Sequence, residues 1–176
     1  MIGRHLILMR HATADPGHAL DRDRELTSSG RDDARRVGSW LAREGMIPTL
    51  ILCSAALRCR QTHEALIAGL GREIFVDFED RLYNALAETL FDSLTDLAFI
   101  EIDEPMVGQN EIVLLIAHNP GISHLALDLA AAGDEALALR TGFSPATTAR
   151  FELFGDWASL ARGSARLTHF THVREI

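Results

Sequence analysis

Three apolar runs constrain this chain more than anything else in it: Leu6-Ile7-Leu8-Met9, Leu50-Ile51-Leu52-Cys53 and Ile112-Val113-Leu114-Leu115-Ile116-Ala117. None has helical spacing, and short continuous apolar runs of this kind read as strands buried on both faces. Such strands belong to parallel sheets covered by helices on both sides. Each run leads directly into residues that carry chemistry. Arg10-His11 follows the first, Ser54 and Arg58 the second, and His118-Asn119-Pro120-Gly121 the third. Ligands of open α/β sheets collect at the carboxyl ends of strands, so a site is expected where these three ends meet.

The intervening segments supply the helices. Residues 13–25 are polar, contain Pro16 and Gly17, and read as a loop. A Ser or Thr of Leu26-Thr27-Ser28-Ser29 caps a helix that carries Val37, Trp40 and Leu41 on one face and ends near Gly45. A second helix begins near Ser54 or Ala55 and runs to Gly69 or Gly71, and residues 73–78 form a short strand. Residues 82–85 read as a turn. Leu90, Leu94 and Leu97 then give a helix over 86–100, 103–110 is an exposed connection, and 121–132 is a further helix. Residues 147–154 and 165–173 alternate polar and apolar, as strands of a hairpin do. The pattern predicts one α/β domain over 1–176: three layers, a mostly parallel central sheet with helices on both faces, and an antiparallel edge.

Composition narrows the partners. At 176 residues the chain can bury roughly 70% of its unfolded surface. A formal charge of −8 and the lack of any Lys/Arg run argue against a nucleic-acid surface. No apolar run approaches the ~20 residues that span a membrane, and the N-terminus lacks the form of a signal peptide. Two cysteines with no call for pairing suit a reducing compartment, so the expected location is cytoplasmic.

Taken together, Arg10-His11, Ser54-x-x-x-Arg58-x-x-Gln61-Thr62 and His118-Asn119-Pro120-Gly121 resemble the histidine phosphatase superfamily, with its phosphoglycerate mutase-like fold. The segment Asp21-x-x-Arg24-x-Leu26-Thr27-x-x-Gly30 and the small size resemble the SixA-type phosphohistidine phosphatases, which lack the long helical lid of larger relatives. The resemblance runs from Met1 to about Ala132 and is weak in the tail. It implies that His118 stabilises a transferring phosphoryl group from the side opposite a nucleophile. It also implies that Asp21 is the acid of the loop, since the Glu that serves relatives acting on phosphate esters has no clear counterpart here.

The residue chemistry agrees. A phosphoryl group in transfer spreads negative charge over three oxygens and needs positioned positive charge with a nucleophile in line. Arg10, Arg24 and Arg58 offer permanently charged, forked donors to a phosphate. Imidazole attacks phosphorus when neutral, and neighbouring arginines discourage protonation, which makes His11 the nucleophile and predicts a phosphohistidine intermediate. With arginines neutralising the charge, no metal or other cofactor is expected. The expected activity is hydrolysis of phosphohistidine on a protein. The alternatives are a phosphatase of small sugar or nucleotide phosphates and a phosphohistidine-binding module without turnover. The proton for the leaving group is open among Asp21, Glu88 and water, with Asp21 preferred and Glu88 read first as an exposed helix residue. Ser54 and Asn119 read first as helix caps, and Cys53 as core. His169 and His172 would face opposite sides of a strand, which removes them as metal ligands. Oligomeric state is not indicated.

Overall fold

A computed structural model describes residues 3–17, 20–99 and 110–176, apart from the side chains of 134–136. The expected connection over 103–110 lies outside the described residues up to Asn110. The elements are β1 (Arg4–Arg10), α1 (Ser28–Arg43), β2 (Leu50–Ser54), α2 (Leu57–Leu70), β3 (Val76–Glu79), α3 (Ala87–Thr95), β4 (Glu111–Ala117), α4 (Gly121–Leu129), β5 (Thr148–Leu153) and β6 (Ala165–Thr171). They form a six-stranded sheet in the order β3-β2-β4-β1-β5-β6. β3, β2, β4 and β1 are parallel, and the hairpin β5–β6 adds antiparallel to β1.

The three apolar runs are the central strands, and alternation along them sorts two cores. Leu6, Leu8, Leu50, Leu52, Val113 and Leu115 pack on α3 and α4. Ile7, Met9, Ile51, Cys53, Leu114 and Ile116 pack on α1 and α2. Each strand therefore spends its apolar side chains on both layers, which is why the runs are continuous rather than alternating.

Helix boundaries follow local chemistry. The Thr27 side chain accepts from Gly30 N–H and starts α1. α2 ends on Gly71 in the left-handed conformation. Two expected caps are not caps. β2 runs one residue further than its apolar run, so Ser54 is a strand residue and Ala56 precedes α2 without a side-chain cap. Pro120 precedes α4, while Asn119 donates to Phe143 O and accepts from Ser123 Oγ, tying α4 to the 143–146 loop. The helix expected over 86–100 is α-helical only to Thr95 and tightens to 3₁₀ over Asp96–Phe99. A 3₁₀ segment at Asp134–Thr141 was not legible in the sequence. No helix among the described residues is long and apolar enough to cross a membrane.

Candidate active site

Strand register brings the two histidines together. β1 and β4 pair in parallel with Arg10 opposite Ala117, so His11 and His118 leave the sheet side by side. The His11 N–H donates to Ala117 O (3.1 Å), and the two imidazole centroids are 5.1 Å apart. β2 flanks β4 on the other side, with Cys53 opposite Ile116, which sets Ser54 beside His118. Gly121 lets α4 approach at this point. A Cβ there would lie 2.0 Å from the carbonyl oxygen of Ala85, so the first turn of α4 and the 84–85 loop meet backbone to backbone.

Arg58, the second residue of α2 and 3% exposed, reaches every part of the site. Its Nε donates to His11 Nε2 (3.3 Å) and its Nη2 to His118 Nδ1 (3.1 Å). Its Nη1 donates to the Asp21 carbonyl oxygen (2.6 Å), and Nη2 also meets Asp21 Oδ2 (3.1 Å). The same face of α2 pins the backbone around His11. Thr62 Oγ1 accepts from Ala12 N–H (3.0 Å) and donates to Arg58 O, while Gln61 Oε1 accepts from Leu26 N–H (2.7 Å).

Hydrogen-bond polarity fixes where the protons are. The Ala12 carbonyl can only accept, so His11 Nδ1, 2.8 Å away, carries its proton and Nε2 is bare. A guanidinium can only donate, so His118 Nδ1 is bare and its Nε2 N–H donates to Ser54 Oγ at 2.8 Å. Both rings are thus neutral. Burial lowers His11 to about 4; the Ala12 bond opposes this and the charges of Arg58, Arg10 and Arg24 add to it. Burial, then His11 and Arg58, lower His118 to about 3.

The cleft over these rings has a volume of about 310 Å³ and is lined by Arg10, His11, Asp21, Arg24, Arg58 and His118 among others. All six expected site residues are therefore brought together. Arg10 Nη1 donates to Phe143 O (2.8 Å), but its buried Nε has no partner. Burial, with Arg58 and Arg24, lowers its pKa. Arg24 spans the Asp15 carbonyl (2.8 Å) and Asp21 Oδ1 (3.1 Å). Asp21 is at the cleft, but as an acceptor. Tyr83 O–H (2.7 Å), Arg24 and Arg58 all donate to its carboxylate and, led by Tyr83, hold it well below the usual carboxylate range. Glu88 is exposed in the first turn of α3 and does not line the cleft. Sequence reasoning did not assign Tyr83 or the roles of Ser54, Gln61 and Thr62. The spacing of Arg58, Gln61 and Thr62 at i, i+3 and i+4 would have placed those three on one helix face. Among the described residues no group of three or more His, Cys, Asp or Glu is arranged to hold a metal.

The profile of the Histidine phosphatase superfamily (branch 1) matches residues 6–111. An uncharacterised protein of Mycobacterium leprae is 32% identical over 94% of this chain and 99% of its own. A structure assigned as phosphohistidine phosphatase SixA from Nakamurella multipartitia superposes with a TM-score of 0.79 at 29% identity, covering 98% of this chain and 97% of that one. One assigned as SixA from Agrobacterium tumefaciens gives 0.73 at 28%, covering 98% and 99%. Protein histidine phosphatase SixA complexed with tungstate shares the fold (TM-score 0.77, 22% identity, 97% of each chain). Mutual coverage is this complete and no large lid is inserted among the described residues; the chain belongs to the histidine phosphatase superfamily, branch 1, as a phosphatase of the SixA type.

Proposed function

We propose that the protein hydrolyses phosphohistidine on a protein through a covalent phosphohistidine on His11. The observation that carries this reading is the state of Asp21. It is the carboxylate among the described residues lining the cleft, and three donors keep it ionised. A cleft without a protonated acid suits a leaving group that needs none. A phosphoimidazole protonated on its other nitrogen departs as neutral imidazole, whereas an alkoxide needs a proton in the transition state.

Arg10, Arg24 and Arg58 take the phosphoryl oxygens, and His118 supports them from the facing side. The bare Nε2 of His11 forms a bond to phosphorus as the bond to the substrate imidazole breaks, and that imidazole leaves with the electron pair. Water then attacks phosphorus, His11 Nε2 departs, and phosphate is released. The relatives assigned as phosphohistidine phosphatases support the substrate class. The free, buried thiols of Cys53 and Cys59 fit a reducing, cytoplasmic setting.

The test is hydrolysis of a phosphohistidine peptide beside p-nitrophenyl phosphate and a panel of sugar phosphates, for the wild type and His11→Ala. A preference for the phosphoramidate of 10²-fold or more in kcat/KM is expected, with turnover abolished by His11→Ala. A preference for a sugar phosphate overturns the reading. So does full turnover by the variant.

A further inference from the structure

The hydrogen bonds of His118 pose a problem for any phosphoryl group entering the cleft. Arg58 donates to His118 Nδ1, so that nitrogen is a bare acceptor. Phosphoryl oxygens are acceptors too, and a bare nitrogen facing one repels it. To support a bound phosphoryl group, His118 must present N–H at Nδ1. It gets there either by gaining a second proton or by moving its single proton from Nε2 to Nδ1. The second course requires that whatever sits at Nε2 change from accepting to donating.

Ser54 is the group at Nε2, 2.8 Å away and fully buried at the end of β2. A backbone carbonyl or a carboxylate there would accept only and lock one tautomer; a hydroxyl does both. We propose that Ser54 is a positioning residue that lets His118 present N–H at Nδ1 on phosphoryl binding: a proton from the phosphoryl monoanion or solvent joins Nδ1, and the Nε2 proton either stays, still donated to Ser54 Oγ in an imidazolium, or leaves to solvent, the hydroxyl then turning to donate to Nε2. The proposal rests on the phosphoryl-binding reading of the cleft.

Among the described residues no other group offers this. Cys59 Sγ is 3.5 Å from the same nitrogen, but its buried thiol is a weak partner, pushed up to about 12 by burial. The Tyr83 ring stands edge-on at 5.6 Å and makes no hydrogen bond to His118. The remaining charged or titratable groups acting on His118 are His11 and Arg10 from the β1 end, Arg58 from α2 and Asp21 from the loop. Burial opposes a second proton most, His11, Arg58 and Arg10 add to it, and Asp21 favours it. A phosphoryl dianion beside Nδ1 offsets the charge part of that opposition and itself favours the proton.

The test reads the nitrogens directly. Protein with ¹⁵N-labelled histidine is titrated with tungstate, and the His118 signals are assigned through His118→Asn. In the wild type, Nδ1 is expected to pass from bare to protonated as tungstate binds. In Ser54→Ala, Arg58 still holds Nδ1 bare without the anion, and Nδ1 is expected to stay bare as tungstate binds, because Nε2 has lost its hydroxyl partner. Turnover in that variant should fall on the order of 10- to 100-fold, in kcat rather than KM, as for other lost partners behind a functional histidine. Nδ1 that stays bare with tungstate bound overturns the proposal in wild-type protein, without need of a variant. So does a Ser54→Ala protein whose His118 signals respond to tungstate as the wild type's do. Wild-type protein that does not bind tungstate at all refutes the phosphoryl cleft itself, a separate outcome.

Discussion

Replacing Arg58 separates what its fork does from what its charge does. The side chain is almost fully buried and touches both imidazoles and the Asp21 carboxylate, so no solvent replaces it. Arg58→Lys keeps a positive charge but not the planar fork that matches a phosphoryl group. Removing one preorganised donor from developing negative charge costs about 3–4 kcal/mol, or roughly 10²–10³ in rate. That is the loss expected in kcat/KM for Arg58→Lys. Arg58→Gln also removes the charge and should lose more, because a unit charge at about 4 Å is worth ~4 kcal/mol at an effective dielectric of 20.

The pH profile distinguishes the two variants further. In the proposed mechanism His11 attacks only when neutral; burial lowers its pKa to about 4, the Ala12 hydrogen bond opposes this, and the arginines, Arg58 foremost, add to it. Wild-type activity therefore declines as pH falls toward about 4. Without the Arg58 charge the His11 pKa rises, so the acid limb of Arg58→Gln moves to higher pH while that of Arg58→Lys stays in place. The assay is kcat/KM for a phosphohistidine peptide from pH 4 to 8, converted to ΔΔG‡. Arg58→Lys within threefold of wild type at pH 7, or an acid limb that does not move in Arg58→Gln, refutes the reasoning.

Asp21→Asn should keep phosphohistidine turnover within about 10-fold, because the carboxylate is ionised and gives no proton; a 10²–10⁴-fold loss would assign it the general-acid role. Acid should destabilise the empty protein. His11 and His118 have folded pKa values of about 4 and about 3, below the ordinary 6.5, so their contribution is complete above pH 6.5 and is lost as pH falls through these values. Each contributes a slope of up to about 1.4 kcal/mol per pH unit in that window, and urea melts at pH 7 and 5 showing equal stability would contradict this. Gly38→Ala should destabilise by about 1–3 kcal/mol in thermal melts, since a Cβ there lies 2.1 Å from Leu66 O where α1 crosses α2; a change under 0.5 kcal/mol would refute the close approach.

The sheet and the convergence of the six expected residues on one cleft are legible because both rest on local sequence. A run such as Ile112–Ala117 has no polar position to expose, so it must be a central strand, and its register with β1 then forces His11 and His118 together. Protonation was not legible. Of the three donors that set the state of Asp21, Arg24 is three residues away, but Tyr83 and Arg58 lie 62 and 37 residues away in sequence, and no local pattern announces either of those contacts. Ser54 reads as a cap from sequence because a Ser before a helix usually is one. Which strand ends beside β2, not its own neighbours, turns it toward His118.

What remains is why three arginines gather around a single carboxylate. Arg10, Arg24 and Arg58 repel one another, Arg10 keeps a buried Nε without a partner, and Asp21 is the lining carboxylate that offsets them among the described residues. Left to themselves these side chains would swing to water. They do not, because the backbone beneath them is fixed by groups with no part in the chemistry. Thr62 holds Ala12, Gln61 holds Leu26, and β1, β2 and β4 are packed on both faces. The stability of the sheet and of the α1–α2 pair thus holds in place an excess of positive charge that an anion entering the cleft would offset, the preorganisation that the proposed phosphoryl transfer requires.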